Sequence, residues 1–266
     1  MYKVASMDEL ATFNRERWNA LVAAGVQYSQ PWLDLTPELA RTRLDKRGWL
    51  GDVAHQDVLC LATGGGQQSA AFAMLGAKTS VIDLSDAQLA QDRVAATQHN
   101  LPMRIEHGDM RDLSCFADNS FDLVWQGYSI NFVPDPERVF DEVRRVLRPQ
   151  SRYVLEFSNP HRFSIVNEDW QPGLGYGLVL PYRDGEVHLE NNQWDVETAP
   201  DQWTKVPGPR EFNHTWSKLI NALGERRFMI EHCSEWMREE INPEVGSWQH
   251  YTQVLPPYIT YWMRLI

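Results

Sequence analysis

Asp57-Val58-Leu59-Cys60-Leu61-Ala62-Thr63-Gly64-Gly65-Gly66-Gln67-Gln68 is the stretch that decides the fold. A short apolar run bounded by polar residues and ending in three glycines reads as a buried parallel strand feeding a tight loop. Ser69 to Leu75 can then start a helix. Glycine accepts positive φ and lets a ligand approach bare backbone. A loop that opens on a helix N-terminus carries N–H groups without intrahelical partners, so a carboxylate, phosphate or ribose oxygen is expected there. The competing reading is a plain structural turn, and the flanking chain has to decide.

Downstream, Thr79-Ser80-Val81-Ile82-Asp83-Leu84 reads as a second strand ending in an acid. Asp83 lies 19 residues beyond Gly64, about the spacing at which nucleotide-binding α/β units set a carboxylate against the ribose hydroxyls. Ser85 and Gln88 form a capping box for the next helix, with Leu84 stapled on Leu89. Met103 to Glu106 reads as a third strand, followed by Gly108-Asp109-Met110, and Phe121 to Trp125 as a fourth. Gln126 to Phe132 is too polar for a buried strand and reads as an edge loop. Asp135 and Pro136 then begin a helix whose apolar face is Val139, Phe140, Val143, Val146 and Leu147, and Arg152 to Phe157 reads as a fifth strand. Such alternation builds a right-handed parallel sheet, and ligands bind at its carboxyl edge, where Gly64, Asp83 and Asp109 would converge. Asp109 can equally be a turn or N-cap residue.

The chain divides into a helical cap over residues 1–50, a cofactor-binding core over 51–160, an inserted segment over 161–210 and a completion of the sheet over 211–266. In the cap, Trp18, Leu21, Val22 and Val26 recur at helical spacing. This cap is either a packed layer or a lid carrying Tyr28 and Trp32. Seven of the 11 tryptophans lie beyond Pro160, so the insert is rich in aromatics. Leu178–Tyr182 and Glu186–Leu189 flank Arg183-Asp184-Gly185 as a hairpin, Phe212 to Leu223 reads as a helix stopped by Gly224, and Arg227–Cys233 and Tyr258–Leu265 as the last two strands.

With 25 basic and 36 acidic residues the formal charge is −11, which argues against nucleic acid and anionic membranes as partners. No apolar run is long enough to span a bilayer, and Met1 to Leu10 lacks the order of a signal peptide, so a cytoplasmic location is expected. Cys60, Cys115 and Cys233 form no CxxC pair and are odd in number; they read as buried apolar fillers, with no disulfide framework and no metal site.

Over about Asp57 to Asn159 the chain resembles the class I S-adenosylmethionine-dependent methyltransferases, particularly the ubiquinone/menaquinone-biosynthesis group. The resemblance rests on Val58 to Gly66 as first motif, Asp83 as ribose-binding acid, Gly108-Asp109-Met110 as adenine-binding segment, Ser120 to Val124 at the fourth strand and Val143 to Pro149 before the fifth. It implies a Rossmann-like, seven-stranded, mostly parallel α/β sheet with helices on both faces and the last strand antiparallel, carrying the aromatic-rich insert after strand five. It implies S-adenosyl-L-methionine as cofactor and S-adenosyl-L-homocysteine as product, held by Ala62, Thr63, Gly64, Gly66, Gln68, Asp83, Leu84, Asp109, Met110 and Trp125. Two departures stand out, because the family commonly has an acid at the position of Cys60 and glycine at that of Ala62.

The expected function is in-line methyl transfer to a small-molecule acceptor, which needs positioning and at most one proton acceptor. Tyr128, His161 and His214 are the catalytic candidates, with Asn131 also on the acceptor side; for each histidine a structural role is the alternative. The aromatic excess lines an acceptor pocket, fills a subdomain core or forms a homodimer surface. Two other functions compete: a non-catalytic cofactor-binding protein, and a nicotinamide-dependent oxidoreductase, whose fingerprint would put glycine or alanine where Ser69 stands.

Overall fold

The computed structural model describes residues 8–165, 170–187, 193–199 and 202–266. Five parallel strands form its centre: β1 (Asp57–Leu61), β2 (Lys78–Asp83), β3 (Met103–His107), β4 (Phe121–Gln126) and β5 (Leu147–Ser158). β10 (Phe228–Glu235) and β11 (Tyr258–Leu265) complete a seven-stranded sheet in the order β10-β11-β5-β4-β1-β2-β3. Only β11 runs against the rest, pairing antiparallel with both β5 and β10. Successive side chains of a strand point to opposite faces. Val58 and Cys60 therefore pack with α2 (Pro37–Leu44), α3 (Gln68–Met74) and α4 (Asp86–His99), while Leu59 and Leu61 pack with α5 (Pro136–Val146) and α6 (Trp216–Glu225). Both faces are covered, which is why β1 is apolar without alternation.

From β1 the chain winds outward to β2 and β3, then returns across β1 to β4 and β5. That reversal opens a crevice at the carboxyl ends of β1 and β4, the place where ligands bind in open α/β sheets. Helix α1 (Glu9–Ala23), capped by Asp8, lies over this crevice. Buried Asn14 fastens it by donating to the carbonyls of Phe132 and Arg210 and accepting from Arg210 N. Asn19 Oδ1 fastens it again, accepting from Ser85 Oγ and Ala87 N.

Several elements differ from the sequence reading. Gly185–Glu186 (β6) pairs with Phe212–Asn213 (β9) and not with Leu178–Tyr182, because Asp184 accepts from Thr215 N and holds that turn against the start of α6. Residues 188–192, at the far end of the expected hairpin, lie outside the described residues. The hairpin of this region is β7 (Gln193–Ala199) with β8 (Gln202–Pro207); its inward residues Trp194, Val196 and Val206 meet Leu21 and Val26 of the cap. The helix expected from Phe212 starts at Trp216, capped by Thr215, and Gly224 sits within its last turn. Gln126 to Phe132 is no exposed edge loop, since Gln126, Ile130, Asn131 and Phe132 are buried. Of the cysteines only Cys60 is buried; Cys115 and Cys233 are exposed. No helix among the described residues is long and apolar enough to cross a membrane, and none of their side chains cluster as a metal site.

Candidate active site at the carboxyl edge of the sheet

The glycine loop is shaped by close approach. A Cβ on Gly64 would sit 2.7 Å from Gln88 Cβ, and one on Gly66 would sit 2.5 Å from Gln91 O. Ala62 holds φ +47, the left-handed region in which a side chain costs about 1–2 kcal/mol. Relief of that strain exceeds the extra chain entropy of glycine, so Ala62→Gly should stabilise the protein by about 0.5–1 kcal/mol. Thermal unfolding should show this as a rise of roughly 2–4 °C per kcal/mol, and an unchanged or lower midpoint would contradict it.

The three glycine N–H groups of the loop are already taken by acceptors. Gly64 N donates to Asp83 Oδ2 at 3.0 Å, and Gly65 N and Gly66 N each donate to Asp92 at 3.1 Å. Two buried carboxylates thus stand behind the loop, an arrangement that disfavours phosphate and suits a cationic ligand. Burial raises both acids, Asp92 to about 7.

In front of the loop lies a cavity of about 730 Å³, within the range of small-molecule sites. Of the residues expected to hold the cofactor, Ala62, Thr63, Gly64, Gln68, Asp83, Leu84 and Met110 line one end of it, together with Gln67 and Gln88, which were not among them. Asp83 Oδ1 also accepts from Ser85 N at 2.8 Å, and a carboxylate with roughly four acceptor positions keeps capacity toward the cavity. Gln88 forms only half of the expected capping box. Its N–H donates to Ser85 Oγ, but its Nε2 turns to Ser29 Oγ and leaves Oε1 buried without a partner. Thr63 Oγ1 likewise lacks a nitrogen or oxygen partner and has only the Cys60 thiol beside it.

Other expected residues stand elsewhere. Gly66 faces Asp92 and is not part of the wall. Asp109 is occupied by Arg111, accepting from its backbone N at 2.8 Å and from its guanidinium at 2.7 Å. Arg111 also pairs with Asp8, which ties the cap to this edge. Trp125 points to the opposite face of the sheet, edge-on to Phe72 and Trp262, because odd and even residues of β4 alternate. Tyr28 lines the cavity, whereas Trp32 packs under Arg43 away from it.

The far end is aromatic and acidic. Trp18, Tyr28, Phe132, Trp194 and Tyr258 line it, along with Glu156, Arg162 and Glu211. Tyr128 Oη donates to Glu211 Oε1 at 2.7 Å. Burial pushes the Glu211 carboxyl above the usual range, and burial with the neighbouring carboxylate pushes the Tyr128 phenol well up. Glu156 is also raised by burial, with Thr260 Oγ1 at 3.4 Å. The two histidines do not line the cavity. His161 stacks on Tyr182 with ring centroids 4.6 Å apart. His214 is buried with Nε2 at 3.2 Å from Ile130 O, and burial lowers it to about 4. Asn131 bridges Phe212 O and Ser158 N as a structural bracket. Glu211 escaped sequence reading because it stands in an irregular stretch, 83 residues from the tyrosine it meets.

A doubly wound sheet with a carboxylate-backed glycine loop, an acid ending β2 and a cavity at the switch point is the architecture of a nucleoside-binding α/β protein. A methyltransferase-domain family model matches residues 59–155. The chain is 35% identical over 184 residues to the ubiquinone/menaquinone biosynthesis C-methyltransferase UbiE of Roseobacter denitrificans, covering 65% of this chain and 72% of that protein. It is 38% identical over 141 residues to the uncharacterized methyltransferase YbaJ of Bacillus subtilis, covering 53% of this chain and 55% of that one, so the match spans little more than half of that relative. The fold is shared with geranyl diphosphate C-methyltransferase of Streptomyces coelicolor, at TM-score 0.62 and 15% identity over 98% of this chain and all of that one. The chain belongs to the S-adenosyl-L-methionine-dependent methyltransferase family.

S-adenosyl-L-methionine is the family's cofactor, and the residues present fit it. The unpartnered Gln88 Oε1 and the spare acceptor capacity of Asp83 ask for hydroxyl and ammonium donors. A dinucleotide pyrophosphate would meet loop N–H groups already bound to carboxylates.

Proposed function

We propose that this protein transfers a methyl group from S-adenosyl-L-methionine to a small, apolar or planar acceptor that carries one exchangeable proton. The observation that carries the reading is the single cavity running from Asp83 and the glycine loop to Tyr128 and Glu211. When bound, the cofactor supplies an already activated methyl group. The chain's own part is to orient the two molecules, exclude water and accept a proton. Asp83, Gln88 and Thr63 bind the donor at one end. Helix α1 and the β7–β8 hairpin roof the cavity through Trp18 and Trp194, whose rings meet edge-on at 6.0 Å. Tyr28, Phe132 and Tyr258 offer flat apolar walls to the acceptor.

For the proton, Tyr128 is itself too weak an acid to serve as a base in its phenolate form. Its own Oη proton passes to Glu211 as it takes the acceptor's proton, leaving a neutral phenol and a protonated Glu211, and Arg162 steadies the Glu211 carboxylate before transfer. The similar Roseobacter and Streptomyces proteins, a ubiquinone/menaquinone biosynthesis C-methyltransferase and a geranyl diphosphate C-methyltransferase, support an apolar small-molecule acceptor. The test is incubation of the purified protein with methyl-labelled donor and a fractionated extract. Label is expected in low-molecular-weight, solvent-extractable products. Label confined to protein or RNA would overturn the small-molecule reading, and donor binding with no labelled product in any fraction would favour a non-catalytic binder.

A further inference from the structure

We propose that Asp92 is the positioning residue that holds the glycine loop in its donor-binding shape, and that its ionisation sets the pH dependence of donor binding. The inference rests on the donor reading above and deepens it. Gln88 and Asp92 lie one turn apart on the face of α4 turned to the loop. Asp92 is fully buried, and its oxygens accept from Gly65 N, Gly66 N and Ser69 Oγ, the last from the first turn of α3. One side chain therefore binds three consecutive parts of the motif, two loop amides and the helix that follows. The loop has no other side-chain acceptor for Gly65 N or Gly66 N among the described residues; Gly65 N has in addition only the carbonyl of Gln88.

The position of Asp92 gives meaning to Cys60. Cys60 lies near the end of β1, and burial, with the Asp92 charge beside it, pushes its thiol well up. A thiol cannot hold the loop as a carboxylate does, so the loop's acid comes from α4 instead of β1. The titratable groups facing Asp92 are Asp83 at the end of β2 and the Cys60 thiol on β1, and neither supplies a positive charge. All three bonds run to a carboxylate, so a proton on Asp92 removes the negative charge that strengthens them. Burial lifts this acid to about 7, so the loss of charge falls in the neutral range. Ionised Asp92 holds the loop firmly and favours a cationic donor; protonated Asp92 holds it by weaker, neutral bonds.

The experiment is calorimetric titration of the full chain with S-adenosyl-L-methionine and S-adenosyl-L-homocysteine between pH 6 and 8.5, with amide hydrogen exchange of the 64–68 segment. If binding requires the ionised form, Kd at pH 6 is expected about tenfold above that at pH 8. Asp92→Asn is expected to weaken binding on the order of tenfold at pH 8, flatten the pH dependence and speed exchange at Gly65 and Gly66. Ser69→Ala removes one bond that lowers the Asp92 pKa, so it should move the midpoint of the binding profile to higher pH while leaving the loop glycines intact. A wild-type profile that is flat, or an Asp92→Asn protein with wild-type affinity and loop exchange, would overturn the proposal alone. Wild-type protein that binds neither ligand at any pH would overturn the donor reading and this inference with it.

Discussion

Asp83→Ala is expected to raise the Kd for S-adenosyl-L-methionine by about 100-fold or more. The carboxylate fixes the two ends of the donor subsite at once, taking Gly64 N from the loop and Ser85 N from the start of α4. Hydrogen bonds to a charged partner contribute about 1.5–3 kcal/mol each, and two are lost together with the contact to the ligand. Asp83→Asn keeps the shape and loses the charge, so a smaller loss, on the order of tenfold, is expected. Calorimetry on both variants, with circular dichroism to verify the fold, reads the result. A folded alanine variant that binds the donor as the wild type does would remove Asp83 from the site.

Glu211→Gln is expected to lower the rate of methyl transfer by about 10²–10⁴-fold while leaving donor affinity unchanged, the range typical of a lost general base. The glutamine can still accept from Tyr128 Oη, so the geometry at 2.7 Å survives and only proton acceptance is removed. In the wild type, the rate should rise with pH through an ionisation above the ordinary carboxylate range, because burial favours the neutral acid and the base must be ionised to work. That limb should vanish in Glu211→Gln. Tyr128→Phe should lower the rate similarly by cutting the relay. Full activity in Glu211→Gln would mean that the acceptor arrives already ionised and needs no base from the protein.

The strands, their order and the residues at the glycine-loop end of the cavity were legible because they depend on local signals. A buried strand must be apolar, a turn with positive φ favours glycine, and the acid closing β2 follows at fixed spacing. The sheet of Asp57 to Phe157 and the wall formed by Thr63, Gly64 and Asp83 follow from such rules. The acceptor end was much less legible. Tyr128 carried a recognisable chemistry, but its partner Glu211 sits in a stretch without periodicity, and His161 and His214 attracted attention by residue type alone. Trp125 was misplaced for a simpler reason, since one residue along a strand moves a side chain to the other face of the sheet.

By itself the sequence determined the class of fold and the glycine loop that closes its first strand, because hydrophobic patterning and glycine conformation act over short distances, and its resemblance to the methyltransferases gave the cofactor. Only the tertiary structure decided what the loop is built against and where a proton can go. Asp92 reaches Gly65 and Gly66 across 27 and 26 residues, and Glu211 meets Tyr128 across 83. Such contacts leave no periodic trace in the chain. They arise when packing buries a carboxyl group that must then find hydrogen-bond donors, and which donors it finds depends on which helix and which loop the fold brings together.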